Sequence, residues 1–150
     1  MQIFEYLKRD HEEVKDILAE MMETEAGQSE ERQRLVGELK EHLLPHQQAE
    51  EGYFYEILFD ETDEPASIHE DVEEHRASRF VLKDLEDTPI DSPAWEGVCK
   101  VLQELIEHHI EDEEDETFEI AKTVIDSKRA ESVGKRFEEI ENEAKSKMHA

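Results

Sequence analysis

The chain has 150 residues, the size of one domain, and a chain of that length can bury about 70% of its unfolded surface without staples. Seventeen Lys and Arg against 43 Asp and Glu leave a net charge of −26, which argues against nucleic acid or an anionic membrane as partner because each would repel the chain. Charged residues make up 40% and hydrophobic ones 36%, yet the apolar residues recur periodically, which a disordered acidic tail would not show.

Residues 2–24 read as a helix, because Phe4, Leu7, His11, Val14, Leu18 and Met21 step by three and four along one seam. Ala26-Gly27-Gln28-Ser29 breaks it, with Gly27 a candidate C-cap and Ser29 a candidate N-cap. A second helix is predicted over 30–59, with Leu35, Leu39, His42, His46, Ala49/Glu50, Tyr53 and Ile57 on its seam. Pro45 lies inside it and predicts a kink or break one turn back, near Glu41.

The acidic stretch 60–65 is a connection, and Pro65 suits the first turn of a third helix over 66–86, with Ile68, Val72, His75, Leu82 and Leu85 inward. Ser92-Pro93 is an N-cap followed by an N1 proline and opens a fourth helix over 93–126. Its seam is Trp95, Val98, Leu102, Leu105/Ile106, His109, Glu113, Ile120 and Val124. A last helix over 128–147 has only Val133, Phe137 and Ile140 as an apolar stripe. The expected fold is all-α: an antiparallel up-down four-helix bundle over 1–126, with 127–150 packed on its outside or extending it and not needed for a site built from the bundle seams.

Single Cys99 excludes an internal disulfide and a Cys-based zinc cage. No apolar run approaches the ~20 residues of a membrane span, and Met1-Gln2-Ile3-Phe4-Glu5 shows no signal peptide, so a soluble, cytoplasmic domain is expected.

Each bundle helix places one histidine on its own apolar seam: His11, His46, His75 and His109. One such residue is ordinarily a hydrogen-bonded core histidine. Four near mid-helix can converge at one height of an antiparallel bundle. His46-x-x-x-Glu50 and His109-x-x-x-Glu113 add a carboxylate one turn on, since four steps of about 100° return to the same face. An acidic helix produces a single such pair by chance. Two matched pairs can supply two carboxylates that bridge two metals, with histidines as terminal ligands, and a thiolate-free His/carboxylate set suits iron or manganese, with zinc as an alternative.

The segments Asp10-His11-Glu12-Glu13-Val14, Leu43-Leu44-Pro45-His46-Gln47-Gln48-Ala49-Glu50-Glu51, Glu74-His75-Arg76 and Leu105 through Glu114 resemble the hemerythrin-like family, the HHE cation-binding domains. Tyr55 and Phe118 each follow their motif histidine by nine residues, and the resemblance covers about 1–126. It implies a four-helix bundle holding two iron ions with a bridging oxo or hydroxo group, used to bind O2 or to sense or handle oxygen, nitric oxide, peroxide or iron. Carried over by residue, the metal ligands are His11, His46, Glu50, His75, His109 and Glu113. His11 and His46 would hold one iron, His75 and His109 the other, and Glu50 and Glu113 would bridge.

Two departures stand out. Oxygen carriers of the family have an H-x-x-x-H pair on the third helix, whereas His75 here has Arg79 one turn on and Asp71 one turn back. His69 lies about 240° around the helix from His75 and cannot substitute. The last carboxylate is Glu at four residues, where the carriers have Asp at five. Fewer ligands leave more open coordination and shift the expectation from reversible transport towards redox chemistry, sensing or metal handling.

His42, Asp71, Glu74 and His108 are the open questions for the shell, His149 is terminal, and Cys99, Trp95, Tyr53 and Tyr55 read as packing. Three functions remain: a di-iron binding or sensing module with a diatomic or peroxide ligand, an enzyme using the same centre to decompose peroxide or activate O2, and a metal-free helical interaction protein. The binding module is preferred, and the oligomeric state is left open.

Overall fold

The computed structural model describes residues 1–149 and is helical throughout, with no strand among the described residues. Helix α1 (Ile3–Glu23) is followed by α2 (Ser29–Ala49), a one-turn π segment (Glu50–Phe54) and α3 (Tyr55–Glu61). Then come α4 (Pro65–Asp87), α5 (Pro93–Asp112), a second π turn (Glu113–Thr117), α6 (Phe118–Lys122) and α7 (Ser127–Met148). The backbone stays helical through both π turns, so α2–α3 and α5–α6 each act as one long element. Short connections make the four long elements antiparallel neighbours: α1 packs on α2 and α5, α4 on α5 and α3. No helix among the described residues is long and apolar enough to cross a membrane.

Helix ends follow local chemistry. Gln2 caps α1, its side-chain oxygen accepting from the Phe4 N–H at 2.6 Å. Ser92 caps α5 by accepting from Trp95 N–H, with Pro93 at the first helical position, and Asp126 caps α7 by accepting from Arg129 N–H. The first connection differs from the sequence reading. Helix α1 ends at Glu23, capped by Thr24 in place of Gly27, and Ser29 is the first residue of α2, not its cap. The Thr24 hydroxyl donates to the Met21 carbonyl and so satisfies a helix-end acceptor that a glycine turn would otherwise serve. Helix α2 also runs through Pro45 without a break. The irregularity falls five residues later, at Glu50.

Two apolar clusters fill the interior. One contains Val14, Leu18, Leu39, Leu82, Trp95 and Leu102, and the other Phe4, Leu7, Phe54, Leu58, Ile68 and Phe118. Helix α7 lies against α1 and α2 and delivers Ala130, Val133 and Phe137 to the second cluster. Its contact with the N-terminus is close: a Cβ on Gly134 would overlap the Met1 carbonyl and press on the Gln2 and Ile3 backbone. Between the clusters lies a polar layer, because each bundle element interrupts its apolar seam with one histidine at that level.

One end of the bundle is tied by Arg32, whose side chain is fully buried. Its guanidinium donates to the Thr24 hydroxyl (2.9 Å) and carbonyl (3.1 Å), the Ile90 carbonyl (2.6 Å) and Glu96 (3.1 Å), and lies 4.3 Å over the Trp95 ring. It thereby joins the α1–α2 and α4–α5 connections. Arg32→Ala is expected to cost about 2–4 kcal/mol by leaving two carbonyls unpaired, read as a lower urea midpoint at unchanged slope.

Candidate metal centre

The π turns decide where the side chains beyond each motif point. In an uninterrupted α-helix a residue nine positions on is rotated by about 900°, half a turn away, so Tyr55 and Phe118 would point away from His46 and His109. Each π turn carries one extra residue: the Tyr55 N–H bonds the Glu50 carbonyl and the Phe118 N–H bonds that of Glu113. That sets the following backbone back by about 100° and returns both aromatics to the inner side. Tyr55 then stacks on His75 at 5.5 Å and Phe118 on His11 at 6.3 Å.

All six residues read from the sequence converge. His11 Nε2 lies 3.1 Å from Glu113 Oε1, and His46 Nε2 lies 2.9 Å from Glu50 Oε1. On the other side His75 Nε2 is 3.2 Å from Glu50 Oε1, His109 Nε2 is 3.4 Å from Glu113 Oε2, and the two Nε2 atoms are 3.1 Å apart. Their ligand atoms form two four-residue groups, His11–His46–Glu50–Glu113 and Glu50–His75–His109–Glu113, each lying within 4.8 Å. Both carboxylates belong to both groups, as a bridged pair of ions requires.

The outer nitrogens are held with equal regularity. His11 Nδ1 meets Glu114 at 2.7 Å, His46 Nδ1 meets Asp10 at 2.9 Å, His75 Nδ1 meets Glu51 at 2.9 Å and His109 Nδ1 meets Glu74 at 2.8 Å. A carboxylate on Nδ1 fixes that nitrogen as the donor and leaves Nε2 as a free lone pair facing inward. The pattern is a pseudo-two-fold. The acidic residue before the first histidine of each half serves the second histidine of that half, and the second glutamate of each Glu-Glu pair serves the first histidine of the other half.

Electrostatics reflect this crowding. Burial pulls the His11, His46 and His109 imidazoles down, but carboxylates (Glu113 and Glu114; Glu50 and Asp10; Glu113 and Glu74) outweigh it and leave each raised. Burial opposes ionisation of Glu113, which Glu50, His109 and His11 nonetheless hold well below the usual range. Burial, with Glu113 adding to it, pushes Asp71 up to about 8, although the Thr117 hydroxyl donates to it at 2.6 Å.

The remaining candidates separate clearly. His108 is exposed and pairs with Asp112 at 3.0 Å, so His109 is the inward neighbour. Half-exposed His42 pairs with Glu13 at 3.2 Å. Glu74 and Asp71 both face His109 Nδ1, at 2.8 and 3.6 Å, not the inner nitrogens. Arg79 turns outward to Glu51 (2.7 Å) and Gln47 (3.1 Å) and so backs the carboxylate that holds His75. His69 stacks on Phe59, His149 pairs with Glu41, Trp95 is core, and Cys99 is buried with its thiol pushed up to about 11 by that burial.

Sequence reasoning placed Tyr55 in the packing. It is fully buried, but its hydroxyl donates to Glu113 and lies 3.4 Å from His75 Nε2, and burial together with Glu113 and Glu50 drives it far above its ordinary range. The reading also missed Glu51, Glu114, Asp10 and Glu141. The doubled Glu after each motif and the acidic residue before His11 and His75 were available signals; Glu141 had none.

The four imidazoles open onto a cavity of about 20 Å³ lined also by Val14, Leu43, Ile106 and Ile110 and by the polar Gln47, Glu74 and Ser78. That is room for one water or a small diatomic.

Six buried side-chain atoms have no hydrogen-bond partner among the described residues: His11 Nε2, His46 Nε2, both oxygens of Glu50, Glu113 Oε1 and Glu141 Oε2. The short distances of His11 to Glu113 and His46 to Glu50 lie off hydrogen-bond geometry and leave these atoms unpaired. Five of the six atoms are inner donors, and unpaired buried donors of this kind fit cations.

The family model for the hemerythrin HHE cation-binding domain matches residues 2–121. A crystal structure of a hemerythrin HHE cation-binding domain-containing protein from Mycobacterium kansasii superposes with a TM-score of 0.84 at 26% identity, covering 100% of this chain and 93% of that one. No curated protein sequence matches significantly.

A cation that binds only the folded chain should stabilise it by about 4 kcal/mol at a thousand times its dissociation constant. The melting temperature is therefore expected to fall on chelation and recover with ferrous iron; a melting temperature indifferent to both would contradict the fit.

Proposed function

We propose, since the chain belongs to the hemerythrin HHE cation-binding domain family, that it is a non-haem di-iron protein that binds or senses O2, nitric oxide, peroxide or iron itself. The observation that carries this reading is the pair of four-residue groups sharing Glu50 and Glu113. In it, His11 and His46 would hold one ion and His75 and His109 the other through Nε2, with Glu50 and Glu113 available to both. Thiolate-free His/carboxylate donors favour iron or manganese, with zinc as an alternative. Two irons with an oxo or hydroxo bridge would supply one-electron redox steps towards small oxidants.

The chain's own contribution is positional. Four carboxylates keep the imidazoles aimed and in one tautomer, and the apolar cavity wall excludes bulk water. The size of that cavity supports a diatomic or peroxide ligand. The charge of −26 removes nucleic acid and anionic membrane from this reading.

A second reading, an enzyme that decomposes peroxide or activates O2, has its own support. The Tyr55 hydroxyl places a buried proton donor on Glu113, beside His75. Arg79, occupied with Glu51 and Gln47, adds no ligand where the family's oxygen carriers have a histidine.

Metal analysis of chain produced with iron tests the site. About two irons per chain are expected. His46→Ala and His109→Ala should each lose most of it, and His108→Ala should keep it; loss in His108→Ala alone would reverse the choice of neighbour, and an iron-free wild type would favour a metal-free interaction protein.

Stopped-flow mixing of reduced protein with O2 separates the roles. An irreversible end in the oxidised form is expected, with catalytic peroxide consumption as the mark of the enzyme. A long-lived oxygenated species that releases O2 under vacuum would instead identify a carrier.

A further inference from the structure

In the carboxylates around the two H-x-x-x-E histidines the pseudo-two-fold of the centre breaks, and the break comes from α7. Each H-x-x-x-E histidine has two carboxylates near its Nδ1. For His109 both come from α4: Glu74 at 2.8 Å and Asp71 at 3.6 Å. For His46 the first is Asp10, at 2.9 Å, the counterpart of Glu74. The counterpart of Asp71, three residues earlier on α1, is Leu7, which is buried in the core. The missing carboxylate is supplied by Glu141 of α7, whose Oε2 lies 3.8 Å from His46 Nδ1.

Glu141 is 1% exposed. A carboxylate at that depth is costly unless it is held, and docking alone accounts for only half of it. Its Oε1 accepts from the Tyr6 hydroxyl at 2.7 Å and has Lys145 Nζ at 3.8 Å. Its Oε2 has no hydrogen-bond partner among the described residues and forms a buried group with Asp10 and His46, ligand-type atoms within 4.8 Å of one another. Phe137, one turn before Glu141, packs edge-on against both Tyr6 and the His46 ring and fixes the approach of the helix.

We propose that Glu141 of α7 is a positioning residue for the His46 imidazole, so that the last helix sets how tightly one of the two metal positions holds its ion, while α4 sets the other. A second carboxylate near Nδ1–H fixes the ring and raises the donor strength of Nε2. The inference rests on the two-metal reading of the centre.

The test uses the full chain loaded with cobalt(II), whose paramagnetism shifts the Nδ1–H proton signals of ligated histidines. In Glu141→Gln the His46 signal is expected to move and the His109 signal to stay, with one of the two ions released to chelator about tenfold faster. Asp71→Asn should show the reverse. Should Glu141→Gln not fold, Tyr6→Phe keeps the carboxylate but removes its anchor, and should move the His46 signal alone. An unchanged His46 signal and wild-type release of both ions, with only the melting temperature lowered, would overturn the proposal and leave Glu141 as a docking contact. Wild-type chain holding fewer than two cobalt ions would overturn the two-metal reading itself, and this inference with it.

Discussion

The structure depends on the cost of keeping four imidazoles and two carboxylates out of water. Glu50 and Glu113 are fully buried, and the histidines nearly so. Left to themselves these groups would rotate to pair with each other or draw water in. The four outward carboxylates prevent that by holding each ring through Nδ1. The apolar clusters on either side then seal the layer. The −26 net charge takes on a local meaning here. Acidic residues flank every motif because each imidazole needs one, and a chain rich in carboxylates supplies them from positions adjacent to the motif residues.

The helical periodicity made the inner residues of the candidate centre legible. His11, His46, His75 and His109 sit where an apolar residue belongs, and that is visible in one dimension. Glu50 and Glu113 followed from a four-residue spacing on a helix that was still regular at that point. Beyond it the regular helix misleads. Tyr55 and Phe118 share a spacing whose meaning depends on a π turn, and at about 100° per residue the same spacing points them away. Pro45 drew attention to the wrong place, since the backbone adjusts at Glu50 and passes through the proline as helix.

The outer carboxylates were hidden for a different reason. Among 43 acidic residues, Glu51 and Glu114 look like solvated face, and only the crossing of the two halves shows that each reaches a histidine on another helix. Glu141 is separated from His46 by nearly a hundred residues and lies on the helix with the thinnest apolar stripe. Its role comes from how α7 docks, with Phe137 and Gly134 allowing the close approach. Thr24, in place of Gly27, ending α1 is a smaller case, in which a side-chain hydroxyl did what a glycine turn was expected to do.

The paired π turns carry a consequence for how such a centre can change. Each is a single surplus residue within an otherwise α-helical rod, in a turn that begins at Glu50 or Glu113. Deleting that residue would let the rod relax to ordinary winding with the segment beyond still in place, because eight steps of about 100° reach the same face as nine steps through a π turn. Rewinding the same turn as α-helix with every residue kept would instead swing the segment beyond by about a quarter turn, taking Tyr55 or Phe118 off the inner wall. The aromatic lining is therefore set by the winding of one turn, independently of the histidines upstream of it. Two halves that share the same four-residue motif can diverge in their lining through the winding of one turn, with no change of composition at all.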